Sequence, residues 1–257
     1  MANAQGTFVW YELMTSDLKA AEAFYRKVVG WTAQDAGIPG PPYTIVSAGA
    51  APVGGLMTIP DEARKMGAGP AWMGYIGVAD VDAGAASVKA AGGAIHRAPA
   101  DIPGVGRFAV VADPQGASFM LFKGSSAQPP VAAAPGTPGH VGWHELHAGD
   151  GAKAFDFYSS QFGWTKAEAM DMGAMGTYHI FATGAEPVGG MMTKMAEQPM
   201  PAWVYYFNVD AIDAAVKRVN DGGGKVVNGP MEVPGGSWII NGVDPQGAMF
   251  ALVAAKR

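Results

Sequence analysis

Chemistry is most readily drawn from Glu145, His147 and His179. Glu145 and His147 lie two apart in Val141–Ala148 (VGWHELHA), whose alternation of apolar and polar side chains predicts a strand, so both project from one face. Alignment with an earlier copy of the same phrase puts His179 on a neighbouring strand. A carboxylate beside an imidazole can move protons near neutral pH or supply part of a divalent-ion ligand set. These three are therefore the candidate catalytic residues, against the plainer alternative of hydrogen-bonded structural histidines. His144 points to the opposite strand face, and His96 and His140 have no partners nearby in sequence.

The same strand face carries Trp143, and its earlier copy carries Trp10, Glu12 and Met14. An indole on a cleft wall stacks against a flat or apolar ligand, or else simply plugs the space. A carboxylate on such a wall must be hydrogen-bonded, paired or protonated. Only the later copy has the histidines, since Met14 and Thr44 occupy those places in the earlier one.

The elements that position these residues come in two sets. Trp10-Tyr11-Glu12-Leu13, Asp17, Phe24-Tyr25 and Gly30-Trp31 recur as Trp143-His144-Glu145-Leu146, Asp150, Phe157-Tyr158 and Gly163-Trp164, at 143 − 10 = 133 and 163 − 30 = 133 residues. Pro52-Val53-Gly54-Gly55, Ala71-Trp72 and Asp113-Pro114-Gln115-Gly116-Ala117 recur as Pro187-Val188-Gly189-Gly190, Ala202-Trp203 and Asp244-Pro245-Gln246-Gly247-Ala248. A period this long is duplication of a whole domain, not a solenoid repeat. The uncharged segment Gly124–Gly139 has four prolines and reads as a semi-extended linker, giving domains 1–123 and 140–257 around linker 124–139.

Each half reads as strand, helix, three strands, taken twice. Asp17 and Asp150 are predicted helix N-caps, and Gly30 and Gly163 the stops. Leu18, Ala21, Tyr25 and Val28 keep helical spacing, as do Phe155, Tyr158 and Phe162. Val81, Ala85 and Val88 mark a second helix, matched by Ile212, Val216 and Val219. The Asp-Pro-Gln-Gly segments read as turns joining the last two strands, and the Gly-Gly pairs as strand bends, because no phosphate-binding Lys and Ser or Thr follow.

With 49% hydrophobic residues in 257, there is apolar material for two cores. A net charge of −5 with scattered Lys and Arg argues against nucleic acid as a partner. The absence of cysteine removes disulfides, thiol nucleophiles and thiolate metal sites. No signal-peptide pattern or bilayer-length apolar run is present, so the expectation is a cytoplasmic protein without membrane contact, as a monomer or homodimer.

The run Asp17…Phe24-Tyr25…Gly30-Trp31, closed by Asp113-Pro114-Gln115-Gly116 and a final strand, resembles the vicinal oxygen chelate superfamily of glyoxalases, bleomycin and fosfomycin resistance proteins and extradiol dioxygenases. The resemblance covers both halves. It implies an α+β fold: two tandem domains, each of paired βαβββ modules forming a half-open eight-stranded barrel around a cleft. It also implies divalent-metal ligands at positions that hold Trp10, Met73 and Met120 in the first half and Trp143, Val204 and Ala251 in the second. None is a hard or borderline donor, so no metal cofactor is expected at these places.

The leading reading is a small apolar or aromatic ligand held in a barrel cleft without the family metal. Trp10, Glu12, Met14, Met73, Met120, Trp143, Glu145, His147 and His179 are the candidate binding residues. Methionine would suit an adaptable apolar pocket there, and would fill an ordinary core equally well. The alternatives are a metal-dependent isomerase, lyase or dioxygenase with a relocated site in the second domain, and a catalytically silent scaffold.

Overall fold

The structure is a computed structural model, describing residues 5–38, 40–125 and 133–257. The first half comprises β1 (Phe8–Thr15), α1 (Leu18–Val29), β2 (Thr32–Asp35), β3 (Tyr43–Ala48), β4 (Ala51–Thr58), α2 (Asp61–Lys65), β5 (Ala71–Gly77), α3 (Val81–Ala90), β6 (Ala94–Ile102), β7 (Gly106–Ala112) and β8 (Ser118–Gly124). The second repeats it as β9 (Val141–Ala148), α4 (Gly151–Phe162), β10 (Thr165–Asp171), β11 (Thr177–Ala182), β12 (Pro187–Thr193), β13 (Ala202–Asn208), α5 (Ile212–Asp221), β14 (Lys225–Glu232), β15 (Trp238–Val243) and β16 (Met249–Ala254). Part of the expected linker, residues 126–132, lies outside the described residues.

Each half forms one eight-stranded mixed sheet, β2-β3-β4-β1-β5-β8-β7-β6 and β10-β11-β12-β9-β13-β16-β15-β14. β1 runs parallel to β4, and β5 to β8, as the paired βαβββ modules require. The sheets are not closed. β2 and β6, with their copies β10 and β14, were not located individually by periodicity. They are edge strands with mostly exposed side chains, so no alternation marks them.

The capping signals act as read, while α5 buries Ile212, Ala215 and Val219 and leaves Val216 half-buried. Asp17 accepts from the N–H of Ala20 at 3.0 Å and Asp150 from that of Lys153 at 3.1 Å. Gly30 and Gly163 end their helices in the left-handed region. Among the described residues no helix is long and apolar enough to cross a membrane.

Packing divides the chain in a way the repeat alone does not announce. One compact unit combines β5–β8 and α3 with β9–β12 and α4; the other combines β1–β4 and α1 with β13–β16 and α5, the boundaries falling within β1, β5, β9 and β13. Each unit therefore draws one module from each half. In the first, Trp203 Nε1 donates to Tyr158 Oη at 3.0 Å, and Tyr158 donates to Asp113 Oδ2 at 3.2 Å. In the second, Trp72 Nε1 donates to Tyr25 Oη at 2.9 Å, and Tyr25 donates to Asp244 Oδ2 at 3.1 Å.

The aspartates of the Asp-Pro-Gln-Gly turns do two jobs. Asp113 Oδ1 accepts from the N–H groups of Gln115 and Ala117, and Asp244 Oδ1 from those of Gln246 and Ala248. The other oxygen takes the tyrosine of the opposite half. Burial pushes both carboxyl pKa values up while these bonds hold them down.

Candidate functional site

In the second half, four strand side chains and one loop side chain form a continuous hydrogen-bonded chain. Trp143 Nε1 donates to Tyr178 Oη at 2.7 Å, and Tyr178 donates to Glu145 Oε2 at 2.9 Å. His147 Nε2 lies 2.7 Å from Glu145 Oε1, and its Nδ1 lies 2.7 Å from Gln198 Oε1. Alternation on β9 puts Trp143, Glu145 and His147 on one face, while Tyr178 reaches them from β11. Glu145 and His147 are largely but not wholly covered, their side chains 14% and 23% exposed.

Charge within the chain follows from its partners. Burial pulls the His147 pKa down, but the hydrogen bond and charge of Glu145, helped by Gln198, outweigh it and leave the value raised. On the other face of β9, His144 is buried, stacks on Phe8 with centroids 4.1 Å apart, and bonds to the Val188 carbonyl. Burial lowers its pKa to about 4, so it stays neutral.

The first half contains the core of the same arrangement. Trp10 Nε1 donates to Tyr43 Oη at 2.9 Å, and Tyr43 is hydrogen-bonded to Glu12. Burial, then the Glu12 charge, raises the Tyr43 pKa. Glu12 is only 5% exposed. Met14 stands at the place of His147, 147 − 14 = 133, so a thioether replaces the imidazole there.

The second glycine of each Gly-Gly pair is what admits the tyrosine. A Cβ on Gly55 would overlap the hydroxyl end of the Tyr43 side chain, and one on Gly190 that of Tyr178. The strand bend expected from sequence is thus a bare floor on which the ring lies. Tyr43 and Tyr178 were not singled out from sequence, although both recur at 178 − 43 = 135, the same offset as 190 − 55 = 135 for their glycines.

His179 does not join the cluster. It pairs with Met191 in the β11–β12 register, one position away from Tyr178, and its ring faces Phe155 of α4 at 6.4 Å. The repeat alignment put it on the right strand, but alternation turns it to the helix side of the sheet. Met73 and Met120 are 6% and 2% exposed and fill the face of β5–β8; Met14 is half-buried on β1. The methionines lining open space are others: Met175, Met192 and Met195 surround a pocket of about 300 Å³, with Lys194 and Glu197 also in its wall.

The family profile described as Glyoxalase/Bleomycin resistance protein/Dioxygenase superfamily matches residues 7–121 and again 137–252. The chain belongs to that superfamily. Among superfamily relatives, "Anthracycline biosynthesis protein DauV" of Streptomyces sp. (strain C5) is 33% identical over 98% of this chain and 94% of its own length. "Anthracycline biosynthesis protein DnrV" of Streptomyces peucetius is 34% identical with the same coverage. The Mn(II)-bound glyoxalase from Novosphingobium aromaticivorans superposes with a TM-score of 0.67 at 17% identity, over 99% of this chain and 83% of that one. At that identity the likeness is one of fold.

The superfamily's metal does not fit the residues at the ligand positions its resemblance implies. Indole, thioether, methyl and isopropyl groups at Trp10, Met73, Met120, Trp143, Val204 and Ala251 lack the donors a divalent ion needs. Among the described residues no group of three His, Cys, Asp or Glu side chains is placed to hold one elsewhere.

Proposed function

We propose that the second half binds a small, flat, largely apolar or aromatic molecule at the Trp143–Tyr178–Glu145–His147 wall, without a divalent metal. One observation carries this reading: a hydrogen-bonded chain of indole, phenol, carboxylate and imidazole runs along β9 from Trp143, which stands at one of the implied ligand positions. Trp143 supplies a stacking surface, and the polar groups fix orientation. The methionine-walled pocket supplies adaptable apolar surface beside them. Relatives named for anthracycline biosynthesis, aligned over nearly the whole chain, support an aromatic ligand.

Tryptophan fluorescence titrated with naphthalene and substituted aromatics, after exhaustive dialysis against chelator, tests the reading. A saturable change in emission that is lost in Trp143→Phe and kept in Trp10→Phe is expected. Emission indifferent to every aromatic, or binding that returns only when a divalent ion is added, would sink it.

A further inference from the structure

His147 has acceptors on both sides. Its Nε2 faces a carboxylate oxygen of Glu145 and its Nδ1 the amide oxygen of Gln198, each at 2.7 Å. With Oε1 of Gln198 toward Nδ1, a ring that donates to both neighbours is an imidazolium. The raised pKa agrees with that state.

The two acceptors are unequal. Glu145 is an anion on β9, held also by Tyr178. Gln198 is neutral and sits on the loop after β12, where Lys194 Nζ bonds to its backbone carbonyl. A charged donor is drawn to an anion by net charge as well as by the hydrogen bond, and to a neutral oxygen by the hydrogen bond and dipole alone. An incoming anionic oxygen would therefore take Nδ1 from Gln198 before it took Nε2 from Glu145.

A half-open depression of mixed polar and apolar lining lies toward that end. Met192 pairs with His147 in the parallel β9–β12 register, and the pocket wall continues through Lys194, Met195, Ala196 and Glu197 to the residue before Gln198. Its volume is about 300 Å³, and three methionines share its wall with Thr193, Lys194 and Glu197. The charged or titratable groups around the Nδ1 edge are Glu145 across the ring, Tyr178 behind Glu145, Lys194 on the Gln198 backbone, and Glu197 in the wall.

Resting on the function proposed above, we infer that the Gln198 amide holds the place of a ligand oxygen, and that the ligand is a hydroxylated aromatic bound as its phenolate. The ring enters the methionine pocket and the oxygen accepts the Nδ1–H of His147. The chemistry is an acid–base equilibrium: the phenol O–H breaks, its proton goes to solvent, and the oxygen keeps the electron pair. Glu145 is a positioning residue that keeps His147 charged and aimed. The first half, with Met14 at this place, has no such cation.

4-Nitrophenol, whose anion is read by its visible absorbance, is the probe, with naphthalene as the non-ionisable control. With excess protein the nitrophenol midpoint should fall by about one pH unit, roughly a tenfold preference for the anion. His147→Met should abolish the preference. Gln198→Ala should tighten nitrophenolate several-fold by removing its competitor, and Gln198→Glu, which sets an anion against Nδ1, should weaken it at least tenfold without a loss in melting temperature. An unshifted midpoint with naphthalene still bound overturns the phenolate inference and leaves the binding function standing. Gln198→Ala weakening nitrophenolate, or leaving it unchanged, overturns it too; failure of both compounds to bind removes both.

Discussion

Trp10–Tyr43–Glu12 and Trp143–Tyr178–Glu145 are the same three side chains on the same two strands, each tyrosine laid over a glycine. What surrounds them differs. In the first half the carboxylate is 5% exposed and the next residue on that face is a thioether; in the second it continues into His147 and Gln198 beside a pocket. The shared triad therefore gives both halves the same wall. The unshared histidine and loop are where function is sought.

The largest test asks whether the architectural part is symmetric. Asp113→Ala and Asp244→Ala each strip acceptors from two backbone N–H groups and a buried tyrosine, and each should cost about 4 kcal/mol in chemical denaturation. Markedly unequal losses would break the symmetry between the two units.

Next comes the opposite face of β9, where His144 replaces Tyr11, 144 − 11 = 133. His144 is neutral when folded, with its pKa lowered from 6.5 to about 4. The unfolded chain thus binds the extra proton. Its contribution is present above pH 6.5 and declines as pH falls toward 4, by about 3 kcal/mol in all. His144→Tyr should flatten that part of the stability–pH curve; an unchanged slope would refute the assignment.

The glycine floors separate stability from binding. Gly55→Ala and Gly190→Ala should each cost about 2 kcal/mol as the tyrosine is pushed aside. Only Gly190→Ala should abolish aromatic binding, and loss in both variants would return the site to both halves.

The smallest expected effect is that of His147→Met, which copies the first half and should cost about 1 kcal/mol at pH 6, since the pair is mostly covered. The sign is opposite to that of His144. A raised His147 value gives stability that is full below 6.5 and lost as pH rises through the folded value. The difference between the variant and the parent should therefore vanish in alkali.

The repeat exposed the halves, both capped helices and the strand face bearing Glu145 and His147, because duplication and alternation are local signals. Tyr178 was legible only by coupling two repeated positions, itself and Gly190. Gln198 gave no signal: by the 203 − 72 = 131 offset of the paired tryptophans it corresponds to Gly67, and it reaches His147 from a loop 51 residues away. Met195 likewise sits between regular elements and Met175 in a single 3-10 turn, Gly173–Met175, where periodicity carries no information about facing. His179 shows the reverse error, with the strand right and the side of the sheet wrong.

The hydroxyl of Tyr25 finds its acceptor 219 residues downstream, at Asp244. During translation the opening module therefore emerges long before its interior can be completed, and its apolar helix face must wait for the last strands to leave the ribosome. Removing the strand that follows Asp244 is accordingly a lesion of the module that carries Tyr25.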